Sequence, residues 1–138
     1  MIRKLKYLFF VLPLIGILTF GCSQNKNTFI NRGYHNVTSK YNGYYNGREK
    51  IRQTLKSQKV KAKEDYKKLL PIFLGGGAEE ATGMTANMDV AIEKCSRVVY
   101  LHSMDIKGKE YCKWIDDTWL VIGQANYYKG EYYKARKR

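Results

Sequence analysis

Apolar residues recur at helical spacing over residues 48–70, in an otherwise charged part of the chain. The intervals between them are three, four or seven residues, which place them on one face of a helix. These positions are Ile51, Leu55, Ala62, Tyr66 and Leu69. Pro71 ends the predicted helix, because the residue before a proline disfavours helical backbone.

A shorter helix is predicted over about 36–46, in a segment rich in Tyr and Asn. The predicted turn is Asn46-Gly47, although Asn42, Gly43 and Asn46 are poor helix formers. We therefore expect the two helices to pair across Asn46 and Gly47. The result is a helical hairpin spanning 34–70.

The next segment, 71–86, is predicted to be a glycine-rich linker because it contains Gly75, Gly76 and Gly77 in a row. A glycine triplet can hold phosphate in a P-loop, but that motif needs Gly-Lys-Ser/Thr and this chain continues with Ala78 and two glutamates. No nucleotide site is predicted there.

Helical spacing resumes at Asn87 and continues to about Ser103. The apolar stripe of this predicted helix consists of Met88, Ala91, Ile92, Cys95, Val98, Val99 and His102. Gly108 then interrupts the chain before a further helix at about 110–129. Because no segment shows the alternation typical of a strand, the predicted fold class is all-α.

The segment from Trp119 to Ala135 matches the opening of a tetratricopeptide repeat, Trp-x2-Leu-Gly-x2-Tyr followed by an Ala in the second helix. Trp119 and Gly123 match in place, Ile122 replaces the Leu, and Asn126 stands at the Tyr position. Gly130 suits the turn between the helices. Packing roles are predicted for Trp119, Ile122, Gly123, Gly130, Tyr132 and Ala135.

One such repeat cannot bury its own apolar face, so several are needed for stability. We therefore expect 87–138 to contain a degenerate repeat helix and then a repeat that is cut short. The expected fold is the start of an α-solenoid whose chain continues beyond Arg138.

Residues 1–21 have the features of a lipoprotein signal peptide. Three basic residues precede an apolar run from Tyr7 to Phe20, which is shorter than the roughly 20 residues that span a bilayer. The run ends at Gly21-Cys22, which resembles a lipobox. Cys22 is the predicted lipid attachment site, and the alternative is an uncleaved anchor or an ordinary signal peptide.

A polar tether is predicted at 22–33, after the acylated cysteine. Two or three acyl chains anchor a protein stably, whereas one is marginal. Because no Asp follows Cys22, the usual bacterial sorting rule favours the outer membrane, with the protein facing the periplasm.

The formal net charge of +13 would suggest nucleic acid in a cytosolic protein. In an exported lipoprotein the basic residues at 40–68 and 136–138 instead suit anionic lipid, glycan or an acidic partner, or a solvated helix face. We predict no nucleic-acid partner and no small-molecule substrate.

The residues that could carry chemistry do not form a recognisable site. His35 and His102 lie in different segments, and neighbouring Asp116 and Asp117 point apart on a helix. Cys95 and Cys112 either form a disulfide or are buried as thiols. We predict no metal, no cofactor and no enzymatic activity.

Several short strings of the chain carry a resemblance to one protein family. They are Cys22, 27–29 (Asn-Thr-Phe), 32–36 (Arg-Gly-Tyr-His-Asn), 40–47 (Lys-Tyr-Asn-Gly-Tyr-Tyr-Asn-Gly), 91–96 (Ala-Ile-Glu-Lys-Cys-Ser) and 110–117 (Glu-Tyr-Cys-Lys-Trp-Ile-Asp-Asp). With them the chain resembles the N-terminal portion of the PorW/SprE family, tetratricopeptide-repeat lipoproteins of the type IX secretion and gliding-motility system.

The resemblance implies a non-enzymatic scaffold at the outer membrane whose partners are protein components of the secretion apparatus. One alternative is a glycan-binding repeat lipoprotein of a polysaccharide-uptake system. Another is a generic repeat lipoprotein of outer-membrane protein assembly.

Overall fold

The structure, a computed structural model, describes residues 23–61, Lys67 and 78–137. This part of the chain is mostly helical, which confirms the all-α class in its coarse form. The elements in chain order are α1 (Phe29–Thr38), a π-helical segment (Ser39–Tyr44), α2 (Tyr45–Lys61), α3 (Ala78–His102), β1 (Asp105–Ile106), β2 (Lys109–Glu110), α4 (Ile115–Tyr128) and α5 (Tyr132–Arg136).

The first helical region is one continuous helix from Phe29 to Lys61, so the hairpin predicted over 34–70 is wrong at its turn. Gly43 and Gly47 lie within this helix and face α3. A Cβ at Gly43 would overlap the Val98 side chain, and one at Gly47 would overlap the Cys95 sulfur. Glycine is therefore used here for close helix contact. The predicted helix end at Pro71 lies outside the described residues.

The predicted tether at 22–33 is also wrong over its described part. Thr28 caps α1, its Oγ1 accepting a hydrogen bond from Asn31 N at 3.2 Å. The Asn31 side-chain amide donates to the carbonyl oxygens of Ser23 and Lys26 at 2.9 and 3.0 Å. Residues 23–28 are thus folded against the start of the helix. Cys22 and the predicted signal peptide at 1–21 lie outside the described residues.

Helix α3 begins at Ala78, nine residues before the predicted start, so the linker placed at 71–86 is helical from Ala78 onward. Its predicted stripe is confirmed in the core, where Met88, Ala91, Cys95 and Val98 are buried. The glycine triplet lies outside the described residues.

A short antiparallel hairpin, β1–β2, connects α3 to α4, and the sequence had not predicted any strand. Lys107 and Gly108 form its turn with φ of 58° and 76°. Two successive positive φ values are typical of a type I′ turn, whose twist matches that of the strands. Helix α4 consequently begins at Ile115 rather than near residue 110.

Two hydrophobic clusters form the core of the described residues. The larger lies between α2, α3 and α4, and consists of Ile51, Met84, Met88, Ala91, Cys95, Val121, Ile122 and Ala125. The smaller lies where α3, the β-hairpin and α4 meet, and consists of Val98, Met104, Cys112 and Ile115. Val99 and Trp119 pack against both clusters and join them.

In the described part of the chain, no helix combines the length and apolar character that crossing a membrane requires.

Candidate functional site

The residues of the repeat pattern form a helical hairpin with an open groove beside it. Its turn follows α4, where the N–H of Gly130 bonds to the carbonyl of Tyr127 and the N–H of Glu131 to that of Asn126. This pair of bonds, with Gly130 at φ +78°, is a Schellman motif. Glycine is needed there because a left-handed backbone strains other residues.

The groove lies between α4 and α5 and has a volume of about 530 Å³. Its lining residues are Asp116, Trp119, Leu120, Gly123, Ala135 and Lys137. Leu120 is 61% exposed at its edge. A Cβ on Gly123 would lie 3.5 Å from the Ala135 carbonyl oxygen, so the two helices approach closely at this point.

The other pattern residues divide between the core and the surface. Ile122 is buried in the larger cluster, whereas Trp119 is half-buried between the clusters and the groove. Asn126, which stands at the Tyr position of the pattern, is buried and its amide donates to the Ile122 carbonyl at 2.9 Å. Tyr132 is 53% exposed and packs on the ring of Tyr127, so its contact is at the surface.

An ion-pair network holds this hairpin against α3. The Lys129 ammonium lies 2.6 Å from an Asp89 oxygen and 3.1 Å from a Glu131 oxygen. The hydrogen bond to Asp89 raises the pKa of Lys129, and Glu131 adds to the effect. The side chain of Lys129 is only 12% exposed, so its charge is better shielded from water than that of a typical surface lysine.

The structure brings together the two histidines, which are far apart in sequence. Nδ1 of His35 in α1 lies 3.0 Å from Nδ1 of His102 at the end of α3. At this distance one ring must donate and the other accept, so at most one Nδ1 carries a proton. The Tyr34 ring packs edge-on against both imidazoles. His35 Nε2 is buried without a hydrogen-bond partner.

Both histidines are disposed to stay neutral. Burial lowers the pKa of His35, although the nearby Glu110 carboxylate partly opposes this effect. Burial also lowers the pKa of His102, and the proximity of His35 lowers it further. Protonation of both rings would place two like charges in contact, which the partly buried site disfavours.

The two described cysteines are free thiols in different clusters. Cys112 Sγ lies 3.2 Å from the Ser39 hydroxyl and 3.7 Å from the His35 carbonyl oxygen. Burial raises the pKa of Cys112 and raises that of Cys95 to about 12. Neither environment favours the thiolate that nucleophilic chemistry requires.

Glu110 binds both ends of the β-hairpin that connects α3 to α4. One carboxylate oxygen accepts from the backbone N–H groups of Met104 and Cys112 at 2.8 and 2.7 Å. The other accepts from the Ser103 hydroxyl at 2.6 Å. Charge-assisted bonds of this kind are short and strong, so Glu110 fixes both ends of the β-hairpin.

Two of the strings that carry the family resemblance, 32–36 and 110–117, lie against each other. The Asn36 amide donates to the Tyr111 carbonyl at 3.2 Å, and its Oδ1 accepts from the Lys113 N–H at 2.9 Å. Together with the histidine pair, these bonds attach α1 to the segment that precedes α4. The described groups position helices, and no three or more of the described His, Cys, Asp and Glu residues form a group suited to a metal ion.

Comparison of the chain with protein-family models and with curated proteins gave no match.

Sequence reasoning missed the His35–His102 contact because 67 residues separate the two rings. It also missed the roles of Ser39, Glu110 and Leu120. No local pattern marks a hydroxyl or a carboxylate that will bond to a distant backbone group. By contrast, the spacing of Trp119, Gly123 and Ala135 is itself a repeat pattern, so the sequence marks these residues out.

Proposed function

We propose that this protein is a non-enzymatic scaffold lipoprotein, anchored in the outer membrane at Cys22, that takes part in type IX secretion and gliding motility. The observation that carries the proposal is the α4–α5 hairpin, in which repeat-pattern residues line an open groove. Repeat proteins bind their partners on such exposed helical surfaces. The family resemblance of the strings at 32–36 and 110–117 supplies the particular apparatus.

The groove offers the chemistry of a protein–protein contact. Leu120 and the Trp119 ring contribute apolar surface, and Asp116 and Lys137 add opposite charges to the lining. Protein–protein interfaces commonly combine apolar and aromatic side chains with polar groups. The TPR-like arrangement of α3, α4 and α5 belongs to this same proposal.

Secretion is the test of the proposed role. A deletion strain should lose type IX cargo from the medium and stop gliding, and the wild-type gene should restore both. Leu120→Asp should restore them poorly, because a charge then occupies the apolar edge of the groove. Val60→Asp is the matched control, since Val60 is 81% exposed on α2, outside the groove. Normal secretion in the deletion strain would refute the proposed role.

Contact with the apparatus is measured directly by photo-crosslinking in cells. A photoreactive residue at Leu120 should capture outer-membrane components of the secretion system, whereas the same residue at Val60 should not. If both positions capture the same proteins, or Leu120 captures none of the secretion components, the groove is not the interface.

Anchoring is tested by the mass of the N-terminal peptide purified from the membrane fraction. The expected peptide begins at Cys22 and carries diacylglycerol on its sulfur. A mature protein that begins at another residue, or an unmodified Cys22, contradicts the anchoring.

The glycan-binding alternative is favoured by one observation. The rings of Tyr127 and Tyr132 pack 5.5 Å apart, and both tyrosines are about half exposed. Exposed aromatic rings of this kind can stack on sugars. Binding of a bacterial polysaccharide that Tyr132→Ala abolishes, together with normal secretion, would favour this alternative.

A further inference from the structure

The polar and apolar sides of α1 are reversed compared with those of an ordinary surface helix. Its inward side is polar, with Asn31 and His35 buried against the rest of the molecule. Its outward side is apolar, where Phe29 is 84% exposed and Ile30 is 74% exposed. A surface helix in water normally buries its apolar stripe, so this arrangement indicates that another apolar surface meets α1.

The exposed apolar side chains form one continuous face. Ile30, Tyr34 and Val37 are separated by four and three residues, which places them in a row along the helix. Phe29 precedes this row at the start of the helix. We call Phe29, Ile30, Tyr34 and Val37 the α1 face.

The charged residues in the segment that contains α1 are all positive. No acidic residue occurs from Ser23 to Arg48, and the charged side chains in that span are Lys26, Arg32, Lys40 and Arg48. A helix with an apolar face of aromatic and aliphatic residues and with basic flanks is typical of helices that lie in the membrane interface. Tyrosine suits this depth, because its ring is apolar and its hydroxyl stays in the headgroup layer.

The α1 face also begins close in sequence to the proposed lipid anchor. Only six residues separate Cys22 from Phe29. Ser23 is held near the first turn of α1, where its carbonyl oxygen accepts a hydrogen bond from the Asn31 amide at 2.9 Å. A short connection of this kind would keep the start of α1 near the membrane to which Cys22 is anchored.

We propose that the α1 face docks onto the anionic lipid surface of the membrane that holds the anchor. The docking rests on the proposed anchoring at Cys22 and adds an orientation to it. In this arrangement the N-terminal end of the first helix contacts the membrane. The groove between α4 and α5 belongs to other elements and is left free for protein partners.

The test places a tryptophan reporter in the α1 face of the full, processed protein. The protein is reconstituted in vesicles of phosphatidylethanolamine and phosphatidylglycerol, whose acyl chains are either brominated or not. Phe29→Trp should add emission that shifts to shorter wavelength and is largely quenched by the brominated lipid. Ile30→Trp is a second reporter with the same expected result. The native Trp114 and Trp119 supply the background, measured in the wild-type protein.

Val60→Trp is the matched control. Val60 is as exposed as Phe29 but lies 31 residues further along the helix, or about 45 Å at 1.5 Å per residue. Its added emission should remain at the wavelength of water-exposed tryptophan and should not be quenched. Circular dichroism should be the same for all three variants, because each position is exposed.

Emission from Phe29→Trp and Ile30→Trp that behaves like that from Val60→Trp would overturn the docking. A reporter that is shielded from water in native envelopes but is not quenched by brominated vesicles would also overturn the docking. In that case a protein partner covers the α1 face. Acylation is read separately by mass. An unacylated chain with a quenched reporter refutes the anchoring alone, and an acylated chain with an unquenched reporter refutes the docking alone.

Discussion

Glu110 shows how one side chain can determine the course of the chain between two helices. Its carboxylate accepts three hydrogen bonds from residues on both sides of the β-hairpin: Ser103, Met104 and Cys112. Two of the donors are backbone N–H groups beside buried side chains, for which the hairpin offers no ladder partner. Removing the acceptor leaves these donors unsatisfied, and that loss is costly in a partly buried site.

We expect Glu110→Ala to lower the free energy of unfolding by about 1–3 kcal/mol, measured by urea denaturation at neutral pH. Glu110→Gln should cost less, because the remaining carbonyl oxygen can still accept from Met104 and Cys112. Glu93→Ala is the control, since Glu93 is exposed on α3. Equal losses of stability in Glu110→Ala and Glu110→Gln would contradict the proposed role of Glu110 as a hydrogen-bond acceptor.

The histidine pair makes stability depend on pH in a defined direction. Burial lowers the pKa of both His35 and His102 in the folded state, so the unfolded chain binds more protons in mildly acidic solution. Stability from this source is complete above the unfolded value of about 6.5 and is lost as the pH falls below it. We expect the free energy of unfolding to decrease between about pH 7 and pH 5.

In His102→Gln the free energy of unfolding should fall less between pH 7 and pH 5 than it does in the wild-type protein. The measurement is unfolding of each protein at both pH values. Carboxylates contribute at lower pH. The Glu49 carboxyl, for example, has its pKa lowered to about 2, first by its hydrogen bond with Arg52. A wild-type protein whose stability is unchanged down to pH 5 would show that the two rings titrate normally.

At the scale of elements, the contact between the first long helix and α3 depends on two glycines four residues apart. Gly43 meets Val98, and Gly47 meets the Cys95 sulfur and the Ala91 carbonyl. The absence of side chains allows the backbones to approach closely along this seam. Gly33 differs, because a Cβ there would meet nothing within 4 Å.

This difference predicts opposite effects of the same substitution. Gly47→Ala should lower the free energy of unfolding by about 1–3 kcal/mol, because the added methyl overlaps the Cys95 sulfur. Gly33→Ala should raise it by about 0.5–1 kcal/mol, because alanine favours helical backbone and the space is open. Thermal or urea unfolding of both variants is the measurement, and two effects of the same sign would contradict the predicted contact.

At the scale of the whole molecule, Trp119 joins the two hydrophobic clusters. It packs against the larger cluster between α2, α3 and α4, and against the smaller one beside the β-hairpin. The same ring lines the groove. Its removal therefore affects the contact between both halves of the core.

We expect Trp119→Ala to cost about 3 kcal/mol or more and to broaden the unfolding transition, followed by circular dichroism. Tyr133→Ala is the control, since Tyr133 is 75% exposed and should change stability little. A Trp119→Ala protein as stable as wild type would mean that the ring serves the groove alone.

Much of the helical content follows from the sequence by itself. The buried stripe of α3 was predictable because apolar spacing of three and four residues determines which side of a helix is buried. The turn after α4 was predictable because Gly130 can adopt the left-handed backbone that a Schellman motif needs. In both cases the signal is local, and neighbouring residues in sequence determine the structure.

Only the tertiary structure decided the use of Gly43 and Gly47, the burial of His35 against His102, and the outward apolar face of α1. A glycine has the same sequence signal whether it allows a turn or a close helix contact, and the partner helix decides between them. The histidines meet because α1 and α3 lie side by side, which no local pattern encodes. The polar side of α1 is buried because Nδ1 of His35 pairs with His102 and Asn36 bonds to the segment before α4, while Asn31 bonds to the nearby carbonyl of Ser23.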